Sequence, residues 1–359
     1  MAADTSPTVE AIELRILRLA LVRPFATAHG TTAARDVLVV HVVGDGVEGW
    51  GECAADTVAT YWRETVASAW ADLVASAGRA PEQPMARAAL EMALLDQRLR
   101  AAGTSMRDHV GGTRTSIDVT VTAGFEDDVD ELLAPGYRSL KLKVAPTSRP
   151  PEPRHGVAIQ VDANASLDPH VDRVLLSELD RVGLVLIEQP FAAHELAEHA
   201  ALGRVLRTPI CLDESIGSDA DALAAFEAAA CRVVCVKPSR LGGFGEAMRV
   251  HDRCVAAGVE AKVGGMLETG IGRAAALALA ALPGFTLPAD LSASERYWRD
   301  EVITEPFTLD GHGRLAVPSG PGLGVEVRRD VIDAATIERT TIPLERPGTS
   351  SRAQRSPGT

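Results

Sequence analysis

Five polar residues recur at nearly even intervals along the middle of the chain: Lys143 in SLKLKV, Asp162 in IQVDAN, Glu188 in VLIEQP, Asp213 in ICLDES and Lys237 in VVCVKP. Each follows a short apolar run rich in β-branched residues, the pattern of a strand buried on both faces. From Asp162 to Lys237 the steps are 26, 25 and 24 residues. Such a step holds one strand, one helix and two short loops, so each reads as a βα unit. In a closed parallel barrel consecutive strands are neighbours, and their C-terminal ends converge on one mouth. Three carboxylates and two amines would then face a single pocket.

Three carboxylates in a partly dry mouth require a cation to neutralise them. All-oxygen ligation by Asp162, Glu188 and Asp213 favours a hard ion such as Mg2+, with Mn2+ as a substitute. Lys143 and Lys237 on either side are the natural proton carriers, because burial near a cation lowers an ammonium pKa toward neutrality. The chemistry suggested is removal of a proton next to a carboxylate, with the metal holding the resulting enediolate. Helix capping would explain a single acid after a strand. It does not explain five polar strand ends in register.

The elements that must position these groups follow from the rest of the chain. At 359 residues it holds one large domain or two ordinary ones. Hydrophobic content of 46% with only 4% aromatics fits a core of Ala, Val and Leu, as in α/β barrels. A net charge of −13 argues against nucleic acid and anionic membranes as partners. It leaves room for a small anionic carboxylate substrate, since a bound metal and lysines reverse the field locally. The five cysteines form no CxxC pair and read as small buried hydrophobes. With no signal peptide and no long apolar span, the expected location is cytoplasmic.

Residues 10–22 read as a strand, RPFATAHGTTAARD (23–36) as a polar loop able to close over the mouth, and VLVVHVV as a second strand. His29 in that loop could touch substrate, although a solvated histidine is the plainer reading. Met85, Ala89, Met92, Leu95 and Leu99 recur at helical spacing, with Glu91 and Asp96 on or beside the solvated face. IDVTVTAGF (117–125) leads into the barrel as a strand. Later helices are predicted at 170–181, 194–206, 218–230, 244–257 and 270–282, with Ser218, Asp219 and Asp221 as an N-terminal cap. The step from Lys143 to Asp162 is only 19 residues, with Pro146, Pro150, Pro151 and Pro153 inside it. A helix of ordinary length is excluded there, so the first βα unit is predicted to be shortened. In AKVGGMLETGIGR (261–273) the backbone N–H groups of Gly264, Gly265 and Met266 could hold a substrate carboxylate. FTLPADLSA (285–293) would return another strand to the mouth, and GPGLGVEV (320–327) would rejoin the N-terminal region.

The motifs KLK, VDAN, IEQP, LDES, VKPSRLGG and GGMLETGIGR with its LPADLSAS sequel resemble the enolase superfamily. Within it they are most similar to the muconate-lactonizing-enzyme subgroup, near the o-succinylbenzoate synthases and N-succinylamino acid racemases. The resemblance covers roughly residues 10–330. It implies a modified TIM barrel of the (β/α)7β type with an α+β capping domain. On that view 1–115 is the cap, 116–305 the barrel, 306–345 the return to the cap and 346–359 a disordered tail. It also implies that Asp162, Glu188 and Asp213 bind Mg2+ and that Lys143 and Lys237 face each other across the substrate. Lys141, Asn164 and Glu214 match supporting positions. The implied reaction is loss of water from 2-succinyl-6-hydroxy-2,4-cyclohexadiene-1-carboxylate, a step of menaquinone synthesis. Racemisation of N-acylamino acids, dipeptide epimerisation, or an idle barrel kept for binding are the alternatives, and a homo-oligomer is compatible with each.

Overall fold

The computed structural model describes residues 7–27 and 30–344. His29 and the Pro/Gly/Ser-rich tail therefore lie outside the described residues. Strands β1 (Ala11–Thr27), β2 (Gly30–Gly44) and β3 (Val47–Cys53) form an antiparallel meander. The segment 23–36 is not the loop its polar composition suggested. Both strands continue through it, pairing Phe25 with Thr32 and Ala26 with Thr31 beyond an irregularity after Ala20. Burial of Phe25 and Ala26, with β-branched threonines opposite, outweighs the polar composition.

Helices α1 (Val66–Ser76) and α2 (Pro84–Ala102) pack on this sheet. Thr65 starts α1 with a capping box shared with Ser68. Helix α2 approaches β3 so closely that a Cβ at Gly51 would lie 2.0 Å from the Ala89 carbonyl oxygen. Asp96, expected on or beside the solvated face of α2, is fully buried. It accepts from the Trp50 and Leu323 amides at 2.9 and 2.7 Å and pairs with Arg100 at 3.0 Å. Glu91 is half-buried and accepts from the Phe244 amide at 2.9 Å. Sequence periodicity marks the face that meets the meander, but not these contacts with later segments.

The chain then runs through α3 (Met106–Val110), β4 (Ser116–Asp118), β5 (Thr120–Ala123), α4 (Val129–Leu133), β6 (Ser139–Lys143) and β7 (Ala158–Asp162). It continues with α5 (Arg173–Leu179), β8 (Ile187–Glu188), α6 (Leu196–Val205), β9 (Ile210–Leu212) and α7 (Asp219–Glu227). After these come β10 (Val233–Val236), α8 (Pro238–Leu241), α9 (Phe244–Ala257), β11 (Glu260–Val263) and α10 (Gly270–Ala280). β5 to β11 form one seven-stranded parallel sheet in chain order. Residues 286–290 close it into a barrel. Thr286 and Asp290 donate to Ala261 and Val263 of β11, while Ala289 bonds Asp118 and Thr120 on the other side.

No helix separates β6 from β7, as the prolines require. This gap follows the second strand of the sheet, however, not the first as expected. β5 precedes it and keeps a short helix of its own, α4. Near the end of the chain β12 (Arg314–Ala316) pairs with β4. After α11 (Arg329–Ala335), β13 (Thr336–Pro343) pairs with β1, giving a four-stranded sheet. The strand that rejoins the meander is thus β13, not residues 320–327. Left-handed Gly322 (φ 66°) and Gly324 (φ 70°) break the latter into isolated bridges. Among the described residues no helix is long and apolar enough to cross a membrane.

Candidate active site

Parallel register sets the strand-end residues side by side: Lys143 pairs with Asp162, and Asp162 with Glu188. Asp213 and Lys237 follow β9 and β10 directly. Asp162, Glu188 and Asp213 are 1%, 0% and 0% exposed. The chain turns sharply after the first two, with Asn164 (φ 44°) and Gln189 (φ 35°) in the left-handed region. The Gln189 side-chain oxygen accepts from the Asp213 and Ser215 amides at 2.9 and 3.2 Å, tying adjacent strand ends together.

Above them a cavity of about 450 Å³ opens, lined by both Lys143 and Lys237. Lys143 Nζ donates to Asp162 Oδ2 at 2.7 Å and to Asn164 Oδ1 at 2.6 Å. Asn164 in turn donates to Glu214 at 3.0 Å. Lys237 Nζ donates to Asp213 Oδ2 and to the Tyr61 hydroxyl, each at 2.9 Å. Tyr61 comes from the capping segment and donates to Asp213 at 3.1 Å, while Arg240 bonds both Tyr61 and Asp213. On the floor, Lys141 meets Asp290 at 2.7 Å, Glu188 at 3.1 Å and Asp162 at 3.2 Å. Lys262, fully buried within β11, meets Glu188 Oε2 at 2.6 Å, Asp290 Oδ2 at 2.8 Å and Gln160 Oε1 at 2.6 Å.

These pairs decide the electrostatics. Burial raises the Asp162 and Asp213 carboxyls, but Lys143 and Lys141 for the first, and Arg240 and Lys237 for the second, hold both well below the usual carboxylate range. Burial lowers Lys237, yet Asp213 and Tyr61 outweigh it and keep the ammonium above its ordinary value. The nearest charge on Lys237 is the Asp213 carboxylate at 2.9 Å. Glu214 is pushed up to about 8 by burial, with Asp213 and Asp162 adding to it.

At Gly264 and Met266 the glycine turn does other work than expected. The Gly264 amide donates to Val236 and the Met266 amide to Glu268, so neither N–H is bare. The amides of Thr269 and Gly272 at the start of α10 go to Glu52, and that of Gly270 goes to Glu301. Gly264 and Gly265 instead make room. A Cβ at Gly264 would lie 2.7 Å from Lys237 Cε, and one at Gly265 would lie 2.5 Å from the Asp290 carbonyl oxygen. Gly265 and Met266 still line the cavity.

Among the described residues, the acidic group whose ligand atoms all lie within 4.8 Å of one another is Glu188, Cys235 and Asp290, not the expected trio. Lys141 and Lys262 already neutralise its two carboxylates. Asp162, Glu188 and Asp213 offer oxygen donors only, on three successive strands, and Glu188 alone among them is raised, by burial that Lys141 and Lys262 do not fully offset. Beside them Glu214 Oε2 is buried without a hydrogen-bond partner. This donor set fits a hard divalent ion. The residues that bind the network together but carry no repeat signal are Tyr61, Arg240, Lys262 and Asp290. Arg240 has a local cue, three residues after Lys237 at the start of a helix, and Asp290 follows the apolar run FTLPA.

Residues 124–331 match the family described as Enolase C-terminal domain-like. The chain is 40% identical to N-succinylamino acid racemase from an Amycolatopsis species, over 92% of this chain and 98% of the relative. It is 38% identical to o-succinylbenzoate synthase from Geobacillus stearothermophilus, over 91% and 96%. A solved member of the enolase superfamily from Listeria innocua superposes with a TM-score of 0.85 at 32% identity, over 94% of this chain and 100% of that one.

Proposed function

The chain belongs to the enolase superfamily, and we propose that within it the protein is an o-succinylbenzoate synthase using Mg2+. The observation that carries this reading is the opening of Lys143 and Lys237 onto one cavity above buried carboxylates on successive strand ends. The substrate would be 2-succinyl-6-hydroxy-2,4-cyclohexadiene-1-carboxylate. Asp162, Glu188 and Asp213 would hold the divalent ion, which supplies positive charge to the substrate carboxylate as an enediolate develops. Lys143 would take the ring proton next to that carboxylate. The same proton would then return to the departing hydroxyl, which leaves as water while the ring becomes aromatic. Lys237, fixed as an ammonium by Asp213 and Tyr61, would stabilise the enediolate electrostatically. The hairpin of β1 and β2 lines the same cavity through Phe25 and Thr32 and would exclude water.

A second reading, racemisation of N-succinylamino acids, is favoured by the 40% identical relative and by an amine at each side of the cavity. The purified protein is to be assayed on the cyclohexadiene carboxylate with and without a chelator. Turnover that the chelator abolishes and Mg2+ restores is expected, and no turnover with Mg2+ present would overturn the proposal. Deuterium entering a recovered N-succinylamino acid from heavy water would establish the racemase activity.

A further inference from the structure

The barrel floor contains a lysine that the proposed chemistry does not use. Lys262 sits inside β11 with 0% exposure and cannot reach solvent or substrate. Its ammonium lies 2.6 Å from Glu188 Oε2, an oxygen with no hydrogen-bond partner in good alignment. Asp290 at 2.8 Å and the Gln160 side-chain oxygen at 2.6 Å complete its surroundings. Lys141 takes the other oxygen of Glu188 at 3.1 Å. The strand-end carboxylates Asp162, Glu188 and Asp213 and the floor residue Asp290 are thus each paired with at least one of Lys141, Lys143, Lys237, Lys262 and Arg240. A nest of acids built to take a divalent ion ordinarily keeps excess negative charge. Here the protein supplies the balancing charge itself.

We propose that Lys262 is a tethered counter-cation that holds Glu188 from beneath and sets how tightly the site binds a divalent ion. The inference rests on the metal reading given above. Lys262 acts through Glu188, so it is a positioning residue. With Lys262 present, the acids remain paired when the ion leaves, and the barrel floor keeps its arrangement. Without it, Glu188 would keep only Lys141, which it shares with Asp162 and Asp290, and would depend more on the ion for neutralisation.

The test is calorimetric titration of the full-length protein with Mg2+ and Mn2+, for wild type, Lys262→Met and Asp290→Asn, with melting temperatures in chelator and in saturating Mg2+. Lys262→Met should bind either ion about tenfold more tightly, since a positive charge near the ligand set is gone. It should also melt lower in chelator and recover most of that loss in Mg2+. Asp290→Asn leaves Lys141 and Lys262 to draw harder on Glu188, so it should bind the ions more weakly. This second variant keeps the test intact if Lys262→Met does not fold. Equal affinity in wild type and variants would overturn the role of Lys262 alone. Absence of binding in all three would overturn both this role and the metal reading. Tight binding confined to Lys262→Met would support the role while removing the metal from the native reaction.

Discussion

The two cavity lysines are held in unlike ways. Lys143 ends β6, where no helix follows, and among the described residues is held by Asp162 and the Asn164 amide oxygen. Lys237 packs 4.5 Å from the centre of the Tyr61 ring, with Asp213 and the Tyr61 hydroxyl as partners and Arg240 behind them. Gly264 leaves just the space its side chain fills. One amine is held by two partners at a strand end that no helix follows, and the other is clamped by an ion pair, a phenol hydroxyl and the ring beside it. Such an asymmetry suits a reaction in which one group moves a proton and the other only stabilises charge. A symmetrical two-base racemisation would ask the same of both.

The comparison breaks most plainly at Lys143. Lys143→Ala should lower kcat for the dehydration by about a thousandfold, within the range for a lost general base. Unchanged turnover would remove its role. Lys237→Met should lower kcat by about a hundredfold, the scale of one lost electrostatic stabiliser. A loss equal to or larger than that of Lys143→Ala, measured in the same assay, would mean that the clamped lysine also carries protons. Asp213→Asn removes one carboxylate charge and one anchor of Lys237 together. Mg2+ binding measured by calorimetry should weaken about tenfold. Undiminished affinity would place the ion elsewhere.

How far the sequence reaches differs on the two sides of the cavity. The even spacing of polar residues after β-branched runs made the parallel strands readable, because a strand buried on both faces leaves a continuous apolar signature. Prolines marked the missing helix, since their rings exclude one whatever the context. Lys143, Asp162 and Asn164 lie within one βα step, so that side of the site was legible. The Lys237 side was not. Tyr61 stands 152 residues from Asp213 and 176 from Lys237, and nothing local in ATYWRET marks it as an insert into a barrel mouth. Lys262 was hidden because a single lysine among apolar neighbours in EAKV reads as the solvent face of a strand. The hairpin through 23–36 was missed because its strands are stabilised by burial against the barrel, not by their own composition.

The subtlest way to sharpen the contrast is Tyr61→Phe. The substitution keeps the ring beneath Lys237 and removes only the hydroxyl, which accepts from Lys237 and Arg240 and donates to Asp213. Lys237 keeps its ion pair with Asp213 and loses one of two restraints, worth on the order of 1 kcal/mol for an ordinary hydrogen bond. Turnover of the cyclohexadiene carboxylate should therefore fall by only about fivefold, with KM nearly unchanged, because the phenol orients an amine and does not bind the substrate carboxylate. A rise in KM with unchanged kcat would make Tyr61 a substrate contact. A fall of a hundredfold or more would make the phenol itself part of the proton path. The difference between the two lysines would then lie less in how firmly each is held than in which of them works through a partner from the cap.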